Sequence, residues 1–207
     1  MKRLWYFADP MCSWCWGFAP VIGAIEAQYR GRLDFELVLG GLRPGTTAAV
    51  TPAFRAEILH HWRDVERLTG QTFRFEDALP EGFVYDTEPP SRAVVALGAL
   101  RPEARFPYFK SIQSAFYTGQ RDVTRAETLA ALAAGHGVAA AEFLATFESP
   151  AARQATASQF QQTAQIGIRG FPTVVLQDDA GPVLLASGYR PLSELAPRID
   201  AWLAPRD

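Results

Sequence analysis

The hydrophobic pattern at the start of the chain predicts a strand, a helix and a second strand. Residues 3–8 form a short apolar run that ends at Asp9-Pro10, which is typical of a buried strand followed by a turn. Apolar residues then recur at helical spacing, so we expect an amphipathic helix over residues 13–30. Residues 33–39 alternate between apolar and polar side chains, as in a strand. A unit of this kind implies two parallel strands joined by a right-handed crossover.

The middle and the end of the chain carry different patterns. Residues 47–165 contain several helical patterns of apolar positions, without a fixed internal period, so we expect an all-helical insertion. Two apolar runs, residues 173–176 and 183–186, then flank a polar turn and predict a hairpin. The apolar positions of residues 192–203 predict a closing helix. The predicted layout is therefore α/β.

Composition and charge narrow the classes of partner. The chain has 207 residues, of which 48% are hydrophobic and 20% charged, as is usual for a globular protein with one sizeable core. Its 20 basic and 22 acidic residues form no block of like charge, which argues against binding to nucleic acid or to an anionic membrane. The apolar stretch of residues 4–8 is too short for a secretory signal. We therefore expect a cytoplasmic protein, in which a stable structural disulfide is not expected.

The reactive side chains are concentrated in the segment Cys12-Ser13-Trp14-Cys15, which holds both cysteines of the chain. Two cysteines at i and i+3 in the first turn of a helix can form a disulfide without large backbone movement. Because so small a ring removes little chain entropy, disulfide exchange explains the pair better than stability does. The N-terminus of a helix favours a thiolate. We expect Cys12, the more exposed thiol, to attack a substrate disulfide and Cys15 to resolve the mixed disulfide.

Other interpretations of the two cysteines stay open. They could be buried structural thiols, since Cys often acts as a small core residue. Zinc would need four ligands, and the three histidines of the chain lack finger spacing, but two thiolates can bind Cu(I) and Met11 could add a thioether. Asp9, three residues before Cys12, could influence proton transfer or only shape the Asp-Pro turn.

The order of these motifs resembles that of the thioredoxin fold. A C-x-x-C segment follows the first strand, and residues 167–173 (GIRGFPT) precede the hairpin. With the helical insertion and residues 9–20 (DPMCSWCWGFAP), the chain is similar to the DsbA family, in particular to its cytosolic branch of FrnE-like predicted dithiol-disulfide isomerases. The resemblance implies a discontinuous thioredoxin-like domain of residues 1–46 and 166–207 around a helical insertion domain of residues 47–165.

The resemblance also implies an activity and a set of site residues. It implies a thiol:disulfide oxidoreductase or isomerase that needs no metal and no organic cofactor. Cys12 would be the nucleophilic thiol, Cys15 the resolving thiol and Pro172 a cis-proline that faces them. The backbone of Phe171 would bind an extended substrate chain, and Trp14 could offer the substrate an apolar platform or simply shield the inner thiol. The substrates would be protein or small-molecule disulfides and thiols, with glutathione among the candidates.

One departure from the family and two alternatives complete the prediction. Strongly oxidising periplasmic members carry Pro-His where this chain has Ser13-Trp14, so we expect a couple more reducing than roughly -120 mV. The 2-hydroxychromene-2-carboxylate isomerases and kappa-class glutathione transferases resemble the chain in layout, but they typically use a serine in place of Cys12. A glutathione-dependent isomerase or transferase is therefore one alternative. A non-enzymatic thiol metal carrier or adaptor is the other.

Overall fold

The computed structural model describes residues 2–205, which form a four-stranded sheet and eight α-helices. The strands are β1 (Arg3–Ala8), β2 (Asp34–Leu39), β3 (Thr173–Asp178) and β4 (Gly181–Ser187). The helices are α1 (Ser13–Gln28), α2 (Pro52–Thr69), α3 (Glu88–Leu100), α4 (Arg105–Tyr117), α5 (Ala126–Ala134), α6 (Ala140–Phe147), α7 (Pro150–Gln165) and α8 (Leu192–Leu203). None of the helices in this described range combines the length and the apolarity that crossing a membrane requires.

The sheet has the strand order β2-β1-β3-β4, with β1 in the centre beside its parallel and antiparallel partners. β1 pairs in parallel with β2, so that Tyr6 lies opposite Leu37. On its other side β1 pairs antiparallel with β3, where Tyr6 lies opposite Val174. β3 and β4 form the antiparallel hairpin. The predicted parallel pair and the predicted hairpin are both confirmed.

The ends of the elements differ from the sequence prediction by a few residues, for local reasons. The predicted first helix reaches residue 30, but α1 ends at Gln28. Tyr29 closes its last turn by donating its amide to the carbonyl of Ile25, while its hydroxyl donates to the carbonyl of Ala196 on α8. α2 ends at Thr69, and the next residue, Gly70, caps it with a positive φ of 73°, in the left-handed region that glycine favours.

The hydrophobic core is shared between the sheet, α1 and the helices that follow β2. The ring of Tyr6 on β1 lies 6.0 Å from the ring of Phe18 on α1 and 6.1 Å from the ring of Phe109 on α4. α1 also packs against α2, α4 and α8, and α7 packs against β2. Aromatic side chains therefore join the sheet to the helical segment in one core.

The architecture is a thioredoxin fold with a helical insertion, because α2 to α7 lie between the parallel pair and the hairpin. The division into a domain of residues 1–46 and 166–207 and a domain of residues 47–165 stays a prediction. Residues 1, 206 and 207 of that division lie outside the described range.

Candidate active site

Cys12 lies at the junction between β1 and α1. It is the residue before the first turn of α1, and its backbone is extended, with φ −83° and ψ 116°. Its amide donates to the carbonyl of Asp9 at 3.1 Å, and its carbonyl accepts the amide of Trp16 at 3.0 Å. Cys15 follows inside the first turn, and both cysteines are free thiols. The predicted position of the pair at the start of the helix is therefore confirmed.

The loop that precedes β3 lies over the outer thiol. The Sγ atom of Cys12 donates to the main-chain carbonyl of Phe171 at 3.5 Å, and the peptide bond between Phe171 and Pro172 is cis. The pairing of Phe7 with Thr173 brings this loop to the end of β1. The segment of residues 167–173 therefore meets Cys12 in space.

Cys12 is the more exposed of the two thiols, as predicted, but it is buried and not open to solvent at the start of the helix. Only 4% of its surface is exposed, compared with 0% for Cys15. The physical reason is the contact with Phe171, because the loop before β3 covers the sulfur that the helix start would otherwise leave open. Cys12 is still the outer of the two thiols.

The phenyl ring of Phe171 is held by a glycine at the end of β2. A methyl group on Gly40 would lie 2.0 Å from two carbons of that ring, so only glycine leaves room for it. The amide of Gly40 donates to the carbonyl of Ala8 at 2.8 Å. The last residues of β1 and β2 and the loop before β3 therefore meet at the outer thiol.

Cys15 lies in a fully buried environment that favours the neutral thiol. Burial raises the pKa of Cys15 well above its ordinary value, and the sulfur of Cys12 acts in the same direction. The main-chain amide of Asp9 partly offsets the rise in the Cys15 pKa. At neutral pH the inner thiol therefore keeps its proton until the chemistry requires a nucleophile.

Asp9 is a buried carboxylate that connects two loops of the site. Its side chain accepts the amide of Met11 at 2.9 Å and the amide of Leu42 at 2.8 Å. Burial raises the pKa of Asp9 to about 6, although both amide hydrogen bonds act against the rise. Asp9 thus shapes the turn before Cys12, as one interpretation of the sequence expected, and its charge also acts on Cys15. Proton transfer through Asp9 stays a prediction.

Sequence analysis missed the tyrosines that line the inner side of the site. The hydroxyl of Tyr85, from the segment between α2 and α3, donates to the carbonyl of Met11. The ring of Tyr117, at the end of α4, stacks on Trp16 with a centroid distance of 5.8 Å and an interplanar angle of 12°. The charges of both cysteines act on the Tyr117 hydroxyl. Tyr85 lies in an irregular segment without periodicity, so no sequence pattern pointed to it.

Trp14 lies between the two cysteines at the edge of the site. Its side chain is half-buried and packs against the core. Both expected roles, a platform for substrate and a shield for Cys15, fit this placement.

The histidines lie away from the cysteines. His60 and His61 are exposed on α2, beside Asp64 and Glu57. His136 makes a hydrogen bond of 2.8 Å with the hydroxyl of Ser111. Within residues 2–205, no three His, Cys, Asp or Glu side chains gather in a cluster that could hold a metal ion.

Proteins of known structure share this fold over their whole length. A protein of Nitrosomonas europaea, provisionally assigned as a protein disulfide isomerase, is 48% identical, with a TM-score of 0.91 over 98% of this chain and 97% of that chain. The cytosolic disulfide reductase DsbM of Pseudomonas aeruginosa is 28% identical, with a TM-score of 0.81 over 98% of this chain and 100% of that chain. DsbM has also been solved with GSH.

More distant relatives are found among curated proteins. The ClpXP adapter protein SpxH of Halalkalibacterium halodurans is 23% identical over 187 residues, which cover 86% of this chain and 59% of that protein. SpxH of Shouchella clausii is 20% identical, covering 86% of this chain and 58% of that protein. The chain thus spans less than two thirds of the length of these curated relatives.

A family model supports the same relationship across the chain. The model of the DSBA-like thioredoxin domain matches residues 3–200, from the first strand to the last helix. The matched range includes the C-x-x-C segment, the cis peptide bond before Pro172 and all six helices between β2 and β3. The chain therefore belongs to the family of DSBA-like thioredoxin domain proteins.

Proposed function

We propose that the protein is a thiol:disulfide oxidoreductase that exchanges disulfides through Cys12 and Cys15, and that it acts in the cytoplasm as a reductase or isomerase. The observation that carries the proposal is the asymmetry of the dithiol. Cys12 makes its contact of 3.5 Å with a backbone carbonyl at the edge of the site, whereas Cys15 is fully buried behind it. The cytosolic disulfide reductase DsbM, 28% identical, supports the reducing direction and the location.

The exchange proceeds in two steps. The thiolate of Cys12 attacks one sulfur of a substrate disulfide, so that a mixed disulfide forms and the other substrate sulfur leaves as a thiolate. Cys15 then loses its proton and attacks the sulfur of Cys12. This second step forms the Cys12–Cys15 disulfide and releases the remaining substrate thiolate. Two external thiol groups, such as those of two glutathione molecules, reduce the disulfide again and become oxidised themselves.

The substrate binds along the loop before β3. The carbonyl of Phe171 accepts hydrogen bonds from an extended backbone placed beside Cys12, and Trp14 offers an apolar face next to it. The presence of GSH in one structure of DsbM supports glutathione as the small thiol partner. With 20 basic and 22 acidic residues, the chain has no excess positive charge that would favour nucleic acid or an anionic membrane as a partner.

Two cysteine variants test the proposal. With insulin as the substrate, we expect Cys12→Ser to lose disulfide reduction, because no outer nucleophile is left. We expect Cys15→Ser to accumulate mixed disulfides with glutathione at Cys12, which mass spectrometry detects. The reduction potential of the wild-type protein, measured against a glutathione buffer, should lie nearer to roughly -270 mV than to roughly -120 mV. Normal insulin reduction by Cys12→Ser would refute the proposal.

A further inference from the structure

The hydroxyl of Tyr6 is a buried hydrogen-bond donor without an oxygen or nitrogen acceptor. Tyr6 is 0% exposed, and within the described residues its hydroxyl makes no hydrogen bond of standard geometry. Leaving such a donor unpaired in a protein interior is destabilising, because no hydrogen bond offsets its loss of hydration. Buried polar groups without a partner are rare in native proteins, and a catalytic role is one reason for keeping such a group.

The packing around Tyr6 fixes the direction of its hydroxyl. The residue lies on the central strand, paired with Leu37 on one side and with Val174 on the other. Its ring lies against Phe18 at 6.0 Å and edge-on to Phe109 at 6.1 Å. The side chain therefore cannot turn to find another acceptor without disturbing the core.

The group beside the hydroxyl is the thiol of Cys15. Among ionisable neighbours, Cys15 acts on Tyr6 most strongly, both through its charge and through a side-chain contact, and Cys12 follows. In the reduced protein Cys15 is a neutral thiol, which is a weak hydrogen-bond acceptor. This explains why the Tyr6 hydroxyl makes no hydrogen bond of standard geometry to its sulfur. A thiolate is a charged acceptor and forms a stronger hydrogen bond.

We propose that Tyr6 is a further catalytic residue, whose hydroxyl donates a hydrogen bond to the Cys15 thiolate when that thiolate forms. The inference rests on the proposed function, because it concerns the second step of the exchange. The inner sulfur has few other stabilising partners. The main-chain amide of Asp9 favours its charged form, whereas burial, the carboxylate of Asp9 and the sulfur of Cys12 oppose it. The charge of Cys15 also acts on the buried hydroxyl of Tyr117.

The role leaves the proton of Tyr6 in place. In the second step the proton of Cys15 leaves to solvent, its sulfur forms a bond with Cys12, and the substrate sulfur departs as a thiolate. Tyr6 donates a hydrogen bond and transfers no proton, because burial raises the pKa of its hydroxyl well above the ordinary value. In the reverse direction an external thiolate attacks Cys12, and Tyr6 stabilises Cys15 as the leaving group. The charge of Cys12 acts on Tyr6 more weakly than that of Cys15, so we expect Tyr6 to affect the first attack less than the resolution.

The variant Tyr6→Phe removes the donor and keeps the ring. We expect it to slow resolution of the mixed disulfide between Cys12 and glutathione by about three- to fourfold in rapid-mixing experiments. A higher Cys15 pKa lowers the thiolate fraction by about tenfold, but the remaining thiolate is more nucleophilic. Alkylation of Cys12 in the Cys15→Ser background should stay within about twofold. In the Cys12→Ser background, the pKa at which Cys15 becomes reactive should rise by about one unit.

A matched control is Tyr108→Phe, since Tyr108 is a buried tyrosine of the helical segment that donates to the carbonyl of Leu129 at 2.8 Å. This variant also loses one buried hydroxyl, but we expect its resolution rate and its Cys15 pKa to match those of the wild type. If Tyr6→Phe does not fold, 3-fluorotyrosine at position 6 provides a stronger donor in the same place. It should lower the Cys15 pKa and accelerate resolution.

Resolution at the wild-type rate in Tyr6→Phe would overturn the inference, as would equal slowing in Tyr6→Phe and Tyr108→Phe. An unchanged Cys15 pKa with 3-fluorotyrosine would do the same. The proposed function has a separate test. Trapping of mixed disulfides by Cys15→Ser, together with normal resolution in Tyr6→Phe, would keep the oxidoreductase and reject the role of Tyr6.

Discussion

The outer and the inner thiol, three residues apart, lie in opposite surroundings. Cys12 lies at the N-terminus of α1 and contacts a main-chain carbonyl of the loop before β3. Cys15 is enclosed, the charge of Asp9 acts on it, and its own charge acts on the buried hydroxyl of Tyr6. Two identical side chains thus differ in reactivity because of the elements around them.

This difference assigns the two sides of the site to different steps. The outer side is built from the loop before β3 and the end of β2, so it controls access and the first attack. The inner side is built from β1 and from the start of α1, so it controls the energy of the second thiolate. Substitutions on one side should therefore leave the step of the other side largely unchanged.

The largest expected effect is on the inner side and follows from the pKa of Asp9. Because the folded carboxyl has a pKa of about 6 instead of 3.8, the folded state binds more protons than the unfolded state between these values. The free energy of unfolding therefore falls as the pH rises from about 4 to 6, by up to ~3 kcal/mol from this group. Asp9→Asn should remove that part of the pH dependence in denaturant unfolding under reducing conditions.

The informative quantity for Asp9 is the slope with pH and not the stability at one pH. The asparagine keeps one side-chain acceptor for the amides of Met11 and Leu42 and loses the other. This loss lowers the free energy of unfolding of the variant by the same amount at every pH. Parallel pH profiles for the wild type and Asp9→Asn would contradict the prediction.

An intermediate effect is expected on the outer side, for Gly40→Ala. The added methyl group overlaps the ring of Phe171 and must displace it together with the carbonyl beside Cys12. We expect a loss of ~1–3 kcal/mol in the free energy of unfolding and a changed alkylation rate of Cys12, with an unchanged Cys15 pKa. Thermal unfolding and alkylation kinetics measure both effects.

Gly170→Ala is the matched control for this substitution. Gly170 directly precedes Phe171 in the loop before β3, but a methyl group there would have no neighbour within 4 Å. We expect the control to stay close to the wild type in stability and in the reactivity of both thiols. Equal losses in the two variants would show that the effect of Gly40→Ala does not depend on overlap with the Phe171 ring.

The smallest effect is expected for Trp14→Ala at the edge of the site. If the indole is a platform for substrate, its removal should raise KM for a protein disulfide about three- to fivefold, or ~1 kcal/mol, with little change in kcat. Steady-state insulin reduction measures this change. Faster alkylation of Cys15 with an unchanged KM would instead identify the indole as a shield of the inner thiol.

Much of this architecture could be predicted because its signals are local. Residues 3–8 and 33–39 carry strand patterns, and the C-x-x-C segment follows a turn signal directly, so β1, β2 and the start of α1 were found within a residue or two. The loop of residues 167–173 is predicted to face Cys12 only through a family resemblance. In the structure the carbonyl of Phe171 from this loop contacts Cys12.

The rest of the site depends on contacts that no local pattern encodes. Tyr85 and Tyr117 reach the active-site segment from the helical insertion, and their positions follow from how that insertion packs on α1. The burial of Cys12 results from a loop about 160 residues later, and it could not be inferred from the helix start alone. Sequence therefore predicted the reacting sulfurs but not the groups that distinguish them.

The hydroxyl of Tyr85 donates a hydrogen bond to the carbonyl of Met11, so the active-site segment depends on a residue of the helical insertion. The helical segment also supplies the carbonyl of Thr72, which accepts the indole N–H of Trp16 at 3.0 Å. A shortened protein made only of the strands, α1 and α8 would leave the carbonyl of Met11 and the indole N–H of Trp16 without these partners. The C-x-x-C segment therefore depends on the helical insertion for its structure. Moving it to another thioredoxin-fold protein would require the insertion residues that bind it as well.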